Sequence, residues 1–106
     1  MTADPLWIAE SDVVALMHLG EAIAALERGL AEEAAGRARN MDKTTQHWGA
    51  ASNMHAIGAI YEGAIYEGAG VFGTKSWGHT EHGSTPLLTL WAVSYTHLTL
   101  PTIYSV

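Results

Sequence analysis

The 106-residue sequence contains no cysteine, which excludes a disulfide framework and any chemistry that needs a thiolate. Basic residues are also scarce, since five Lys and Arg stand against eleven Asp and Glu and the net charge is −6. Nucleic-acid binding needs clustered Lys and Arg at the phosphates, so that class of function is excluded. No apolar run reaches the length of a membrane span, and the N-terminus does not resemble a signal peptide. We therefore expect a cytoplasmic protein whose partner is neither nucleic acid nor membrane.

What the sequence does contain is a helical first third. Over about 21–35, apolar residues recur every three or four positions, which predicts a helix with one apolar side that packs on a sheet. The recurring residues are Ile23, Leu26, Leu30 and Ala34. We expect Gly36 to end this helix and Arg37 to pair with Glu33, four residues earlier. A shorter helix is predicted before it, capped by Ser11 and ended by Gly20.

The remainder of the sequence is rich in β-branched, aromatic and glycine residues. A short strand at 6–8 is followed, after Gly36, by four predicted strands at about 41–48, 53–61, 71–79 and 86–91. Arg37 and Arg39 are interpreted as part of a solvated connection. Helices first and strands later predict an α+β fold, with two N-terminal helices packed on a mixed or antiparallel sheet.

A pentapeptide is repeated without interruption in the middle of the strand-rich region. Residues 60–64 read IYEGA, and residues 65–69 read IYEGA again. A period of five residues matches no repeat architecture. The repeat is therefore either a longer hairpin or an error in the sequence.

Lys75 is one of only two lysines, and it lies in a β-prone run between Phe72 and Trp77. An ammonium group on a largely apolar sheet is costly unless an anion meets it, and a substrate carboxylate is one such anion. The alternative is a lysine whose stem covers apolar surface while its head reaches water. The residue pattern alone leaves both interpretations open.

Two further patterns have little support. Residues 68–73 match the dinucleotide-binding pattern GxGxxG, but a poor helix-forming stretch follows and no acid lies about 20 residues on. We interpret the match as chance.

His79 and His82 have a zinc-like spacing but lack further ligands, so no metal site is expected. His55 is interpreted as a hydrogen-bonded sheet histidine.

Several short motifs occur in the order and with the spacing that are typical of one protein family. They are residues 6–8, 22–29, 40–44, 54–58, 73–80 and 85–88. On these motifs, residues 6 to about 91 resemble the N-terminal domain of the ornithine cyclodeaminase/mu-crystallin family. The resemblance implies an NAD(P)-dependent oxidoreductase or lyase of amino acid metabolism, a homodimer that acts on an amino acid or cyclic imine.

The resemblance also implies roles for three residues. Lys75 matches the family lysine that meets the substrate carboxylate, which makes it the candidate catalytic and substrate-binding residue. Lys43 lies where many members have a substrate-binding arginine. A lysine ammonium would supply a point charge in place of the bidentate hydrogen bonds of a guanidinium. Thr85 lies where the family chain approaches the cofactor.

The end of the sequence has a different character. Residues 93–106 resemble a translated sequencing adapter, so we expect a non-native tail after an N-terminal substrate-binding and dimerisation domain at 1–92. The chain would then be a fragment, truncated before the Rossmann domain, and would bind no NAD(P) by itself. Two other hypotheses stay open: a mu-crystallin-like ligand-binding protein without turnover, and a stand-alone dimerisation domain.

Overall fold

The computed structural model describes residues 5–95 and 102–105, and these form a mixed α+β fold. The described helices are α1 (Glu10–Leu16) and α2 (Leu19–Ala34), and the strands are β1 (Trp7–Ile8), β2 (Ala38–Asn40), β3 (Thr44–Trp48), β4 (Ser52–Tyr66), β5 (Ala69–Thr80), β6 (Gly83–Ala92) and β7 (Thr102–Ser105). The expected α+β arrangement, with two helices before a mostly antiparallel sheet, is confirmed.

The strands form one sheet in the order β1-β7-β6-β5-β4-β2, and β3 also pairs with β4. The pairing of β1 with β7 is parallel, whereas the other described pairs are antiparallel. The long hairpins β4–β5 and β5–β6 make up the centre of the sheet. Their continuous register decides which side chains share a face.

The starts of the two helices differ from the expected ones. Ala9 is the N-cap of α1, and the Asp12 carboxylate accepts a hydrogen bond from its backbone N–H at 2.8 Å. Ser11 is therefore inside the helix, and its predicted role as cap is wrong. Gly20 does not end α1 either: the helix stops at Leu16, and α2 already begins at Leu19 behind the N-cap His18.

The end of α2 follows the prediction at Gly36, whose φ is 82°. The N–H of Gly36 donates to the Glu33 carbonyl at 3.0 Å, and that of Arg37 donates to the Glu32 carbonyl at 2.9 Å. These two bonds are a Schellman motif, which needs the left-handed conformation that glycine adopts without strain. Because the chain reverses here, the Arg37 guanidinium meets Glu32 at 2.5 Å, and the expected pair with Glu33 is wrong.

Arg39 is not in a solvated connection, as the sequence suggested, but in β2. Residues Ala38–Asn40 pair antiparallel with residues 59–61 of β4. The Arg39 guanidinium forms an ion pair with Glu62, just beyond that pairing. The sequence did not predict this short strand, because three residues are too few to show a period-two pattern.

Helix α2 lies against β2 and β4, but the contact is loose. Leu26 and Leu30 are on its sheet side and remain 62% and 56% exposed. Across residues 5–94, no apolar side chain is fully buried. The predicted apolar stripe is on the expected side of the helix, but it borders an open cleft and not a closed core.

The repeated pentapeptide forms a longer hairpin. Strand β4 continues through the first copy to Tyr66, and the chain turns at Glu67 and Gly68, whose φ values are 52° and 74°. The register passes from Tyr61–Val71 to Tyr66–Ala69, so the four residues 62–65 of β4 lie opposite Gly70 alone. The extra residues are therefore accommodated as a bulge near the tip of the hairpin.

Part of the expected non-native tail is in the sheet. Residues 102–105 form β7, between β6 and β1, and Val93–Tyr95 form a single turn of 3-10 helix. Residues 96–101 and 106 of the tail lie outside the described residues. A strand can form from β-prone composition alone, so the origin of the tail stays a prediction.

Candidate functional site

The register of the sheet puts Lys75 on the same face as α2. Lys75 lies opposite Ile57 of β4 on one side and opposite Leu88 of β6 on the other. Side chains directly opposite each other on paired strands point to the same face. Side chains two residues apart on one strand also share a face. We call this the Lys75 face, which in the strands named here includes Thr45, His47, Asn53, His55, Ile57, Lys75, Trp77, His79 and Leu88.

A cleft of about 400 Å³ separates α2 from the Lys75 face. Its helix side is lined by Leu26, Gly29, Leu30 and Glu33, and its sheet side by residues that include Ile57, Val71, Leu88, Leu90 and Lys75. The walls are mostly apolar. The cleft can therefore take an apolar group, and its lining includes two basic residues, Lys75 and Arg39, on the sheet side and the acidic Glu33 on the helix side.

Lys75 itself is exposed at this cleft. Its ammonium nitrogen lies 5.1 Å from the centre of the Trp77 ring, within the range of a cation–π contact. In the described part of the chain no carboxylate forms an ion pair with it. Phe72, which the sequence suggested as a neighbour, is on the opposite face, where it stacks on Trp91 at 5.6 Å.

Lys43 lies in a bulge between β2 and β3. Asn40 lies opposite Ala59 and Thr44 lies opposite Ala56, so residues 41–43 stand against only two residues of β4. Bulges of this kind re-aim side chains next to functional sites. The positive charge of Lys43 contributes to the lowered pKa of His55, which indicates that Lys43 lies near the Lys75 face.

His55 lies beside Trp77, the aromatic partner of Lys75. Its ring stacks on Trp77, with centroids 4.9 Å apart. Its Nδ1 lies 2.9 Å from the Thr45 hydroxyl, and its Nε2 lies 2.7 Å from the Asn53 side-chain oxygen. A neutral imidazole satisfies both bonds, because Nδ1 accepts from the hydroxyl and Nε2–H donates to the amide oxygen.

Burial lowers the pKa of His55 below its ordinary value, and the positive charges of Lys43, His47 and His79 lower it further. The same charges raise the positive potential around Lys75. The arrangement is therefore suited to an anion, with the lysines as charge partners and the neutral His55 as a fixed neighbour.

Thr85 is not brought to this group. It lies opposite Gly78, one position out of phase with the Lys75 face, so its side chain is on the opposite side of the sheet. It also lies near the tight turn at Glu81 and His82.

The GxGxxG pattern has no dinucleotide-binding context. Gly68 is in the β4–β5 turn, and Gly70 and Gly73 are inside β5, with no helix after them. A Cβ on Gly70 would stand 2.1 Å from the Tyr61 carbonyl oxygen, so glycine here permits close approach of two strands. Among the described side chains, no group of three or more His, Asp and Glu could hold a metal ion.

Sequence reasoning missed Trp77, Asn53 and Thr45 as parts of the site, and it also missed Glu33. The period-two spacing of residues 75, 77 and 79 is the signal that places three polar or aromatic side chains on one face. Glu33 carried no such signal, because its place in the cleft depends on how α2 lies on the sheet.

Comparison of the chain with known protein families, with curated proteins and with solved structures found no match. In the described residues, neither helix has the length and apolar character needed to cross a membrane.

Proposed function

We propose that this chain is the N-terminal ligand-binding part of an enzyme similar to the ornithine cyclodeaminase/mu-crystallin family. In this proposal, Lys75 binds the carboxylate of an amino acid or cyclic imine, and Lys43 adds a second positive charge. The observation that carries the proposal is the position of Lys75, whose ammonium stands at an apolar cleft beside Trp77 and forms no ion pair among the described residues. An anion at this position would meet a positive charge next to an apolar wall.

In this proposal each group has a separate role. The carboxylate would lie at the ammonium of Lys75, and the apolar part of the ligand would lie against the apolar side chains next to it, Leu88 and Trp77. His55, held neutral by its two hydrogen bonds, keeps Trp77 and therefore Lys75 in position. Lys75 is the candidate catalytic residue because it would touch the substrate.

The described residues do not fit a nicotinamide cofactor. The glycine pattern lies in a hairpin and a strand, and Thr85 is on the opposite face from Lys75. A nicotinamide cofactor would supply hydride-transfer chemistry in the proposed enzyme, and none of the described residues is assigned to hold it. No step of that chemistry is assigned to side chains here.

The opposite face of the sheet supports the homodimer that the family resemblance implies. Met54 and Leu87 are on that face and remain 47% and 37% exposed, next to the stacked Phe72 and Trp91. An apolar sheet surface of this kind is typical of contacts between subunits. We propose that two copies of the domain pair through it.

Calorimetric titration with L-norvaline and L-norvalinamide tests the carboxylate site, because these ligands differ only in the carboxylate. We expect the wild-type chain to bind norvaline and not the amide. Lys75→Gln should abolish norvaline binding, since loss of a charge partner costs about 2–5 kcal/mol, whereas Lys43→Gln should cost under about 1 kcal/mol.

Arg28→Gln is the matched control, because it removes one positive charge from the exposed side of α2. It should leave norvaline affinity unchanged. Equal binding of acid and amide, or equal losses for Lys75→Gln and Arg28→Gln, would contradict the proposed site.

A further inference from the structure

The Lys75 face continues past Trp77 into a second polar group. Asn53 of β4 lies opposite His47 of β3 on one side and opposite His79 of β5 on the other. The three side chains therefore form one row across the sheet, two rows beyond Lys75. His47 and His79 are exposed, so this row is accessible to a ligand.

The charges on this part of the face have one sign. On the Lys75 face, none of the residues contributed by β3, β4, β5 and β6 is Asp or Glu. The acids nearest in sequence, Asp42 and Glu81, are in the bulge and in the β5–β6 turn, where Glu81 lies 3.4 Å from His82. In a chain with a net charge of −6, such a separation makes the row attractive to anions.

We infer that the ligand of this site carries two carboxylates, the second of which binds between His47 and His79. Each imidazole offers at least one N–H donor, and Asn53, whose oxygen is held by His55, presents its amide nitrogen as a third. The inference rests on the proposed function, because it takes Lys75 as the partner of the first carboxylate.

The direction of the second carboxylate follows from the cleft. Glu33 lines the helix side of the cleft, so an anion placed deep inside would meet a like charge. Lys75 and His79 are four residues apart along β5, roughly 13 Å at the backbone. The Lys75 ammonium already leans to within 5.1 Å of the Trp77 ring, between the two rows. A short dicarboxylate can therefore bridge them along the face.

Calorimetric titration of the full chain with glutarate and pentanoate tests this inference, because the two acids share a five-carbon chain. We expect glutarate to bind roughly tenfold more tightly, as an added charge-assisted contact would give. The double variant His47→Gln/His79→Gln should remove that advantage, so that it binds glutarate and pentanoate with equal affinity. His82→Gln is the matched control, because it removes a histidine from the nearby turn.

Each outcome decides a separate point. If pentanoate binds through Lys75 and glutarate has no higher affinity, the second subsite is contradicted, whereas the proposed function is not. An equal loss for His82→Gln overturns the placement between His47 and His79. If neither acid binds, or if Lys75→Gln changes neither affinity, the proposed function and this inference both fall.

Discussion

At the scale of single residues, Lys75 and His55 contact aromatic and neutral polar partners on the Lys75 face. Lys75 lies over Trp77, Trp77 stacks on His55, and His55 is hydrogen-bonded to Thr45 and Asn53. Ion pairs occur elsewhere, as between Arg37 and Glu32, where the hydrogen bond from the guanidinium lowers the pKa of the carboxyl. The positive charge of the face is therefore left for a ligand.

His55 gives a prediction about pH and stability. Its pKa is lowered in the folded chain, so the unfolded chain takes up the proton first as the pH falls. Its contribution to stability is present above the ordinary histidine pKa of about 6.5 and is lost below it. Urea midpoints measured on both sides of that pH should fall more for the wild type than for His55→Gln. Parallel curves would contradict the assignment.

At the scale of elements, the β4–β5 hairpin shows how a repeated sequence acquires two structures. The first copy of IYEGA continues β4 and its bulge, whereas the second copy supplies the turn. Glu67 and Gly68 both have positive φ, the pattern of a type I′ turn, in which Asn-Gly is the preferred pair. Glutamate is a poor residue at the first of these positions because its Cβ crowds the backbone.

We therefore predict that Glu67→Asn raises the free energy of unfolding by up to about 1 kcal/mol, because asparagine tolerates the left-handed conformation. Glu81→Asn is the matched control, since Glu81 is in the neighbouring hairpin turn without positive φ. Urea denaturation of both variants measures the difference. A gain for Glu81→Asn as large as that for Glu67→Asn would show that the turn conformation is not the cause.

At the scale of the whole molecule, the sheet includes a strand from the stretch that resembles an adapter. Strand β7 lies between β6 and β1, so β1 joins the sheet through it. A translated adapter has had no selection for packing, and such a strand would add little to folding. Its removal would expose the edge of β6, which is an open edge in the proposed fragment as well.

We predict that the free energies of unfolding of chains 1–92 and 1–106 differ by less than about 1 kcal/mol. This difference is smaller than the effect of an ordinary destabilising core substitution. Equilibrium urea denaturation of the two chains, followed by circular dichroism, measures it. A larger loss in the shorter chain would make β7 a true structural element and would contradict the adapter origin of residues 93–106.

The sequence by itself determined the features that depend on local conformation. The period of α2, its stop at Gly36, the strand-rich remainder and the failure of the GxGxxG pattern to open a helix all follow from propensity and spacing. Local rules were less accurate where the first-turn contacts decided the outcome, as at Ser11 and Gly20.

Only the tertiary structure decided which residues share a site. His55 and Trp77 share a face with Lys75 because strand register puts them there, and Thr85 is on the other face because it is one residue out of phase. The cleft and Glu33 depend on how loosely α2 lies on the sheet. A one-residue shift in the register of a strand would move its side chains to the opposite face of the sheet. Register is a property of paired strands, so one segment of sequence does not determine it.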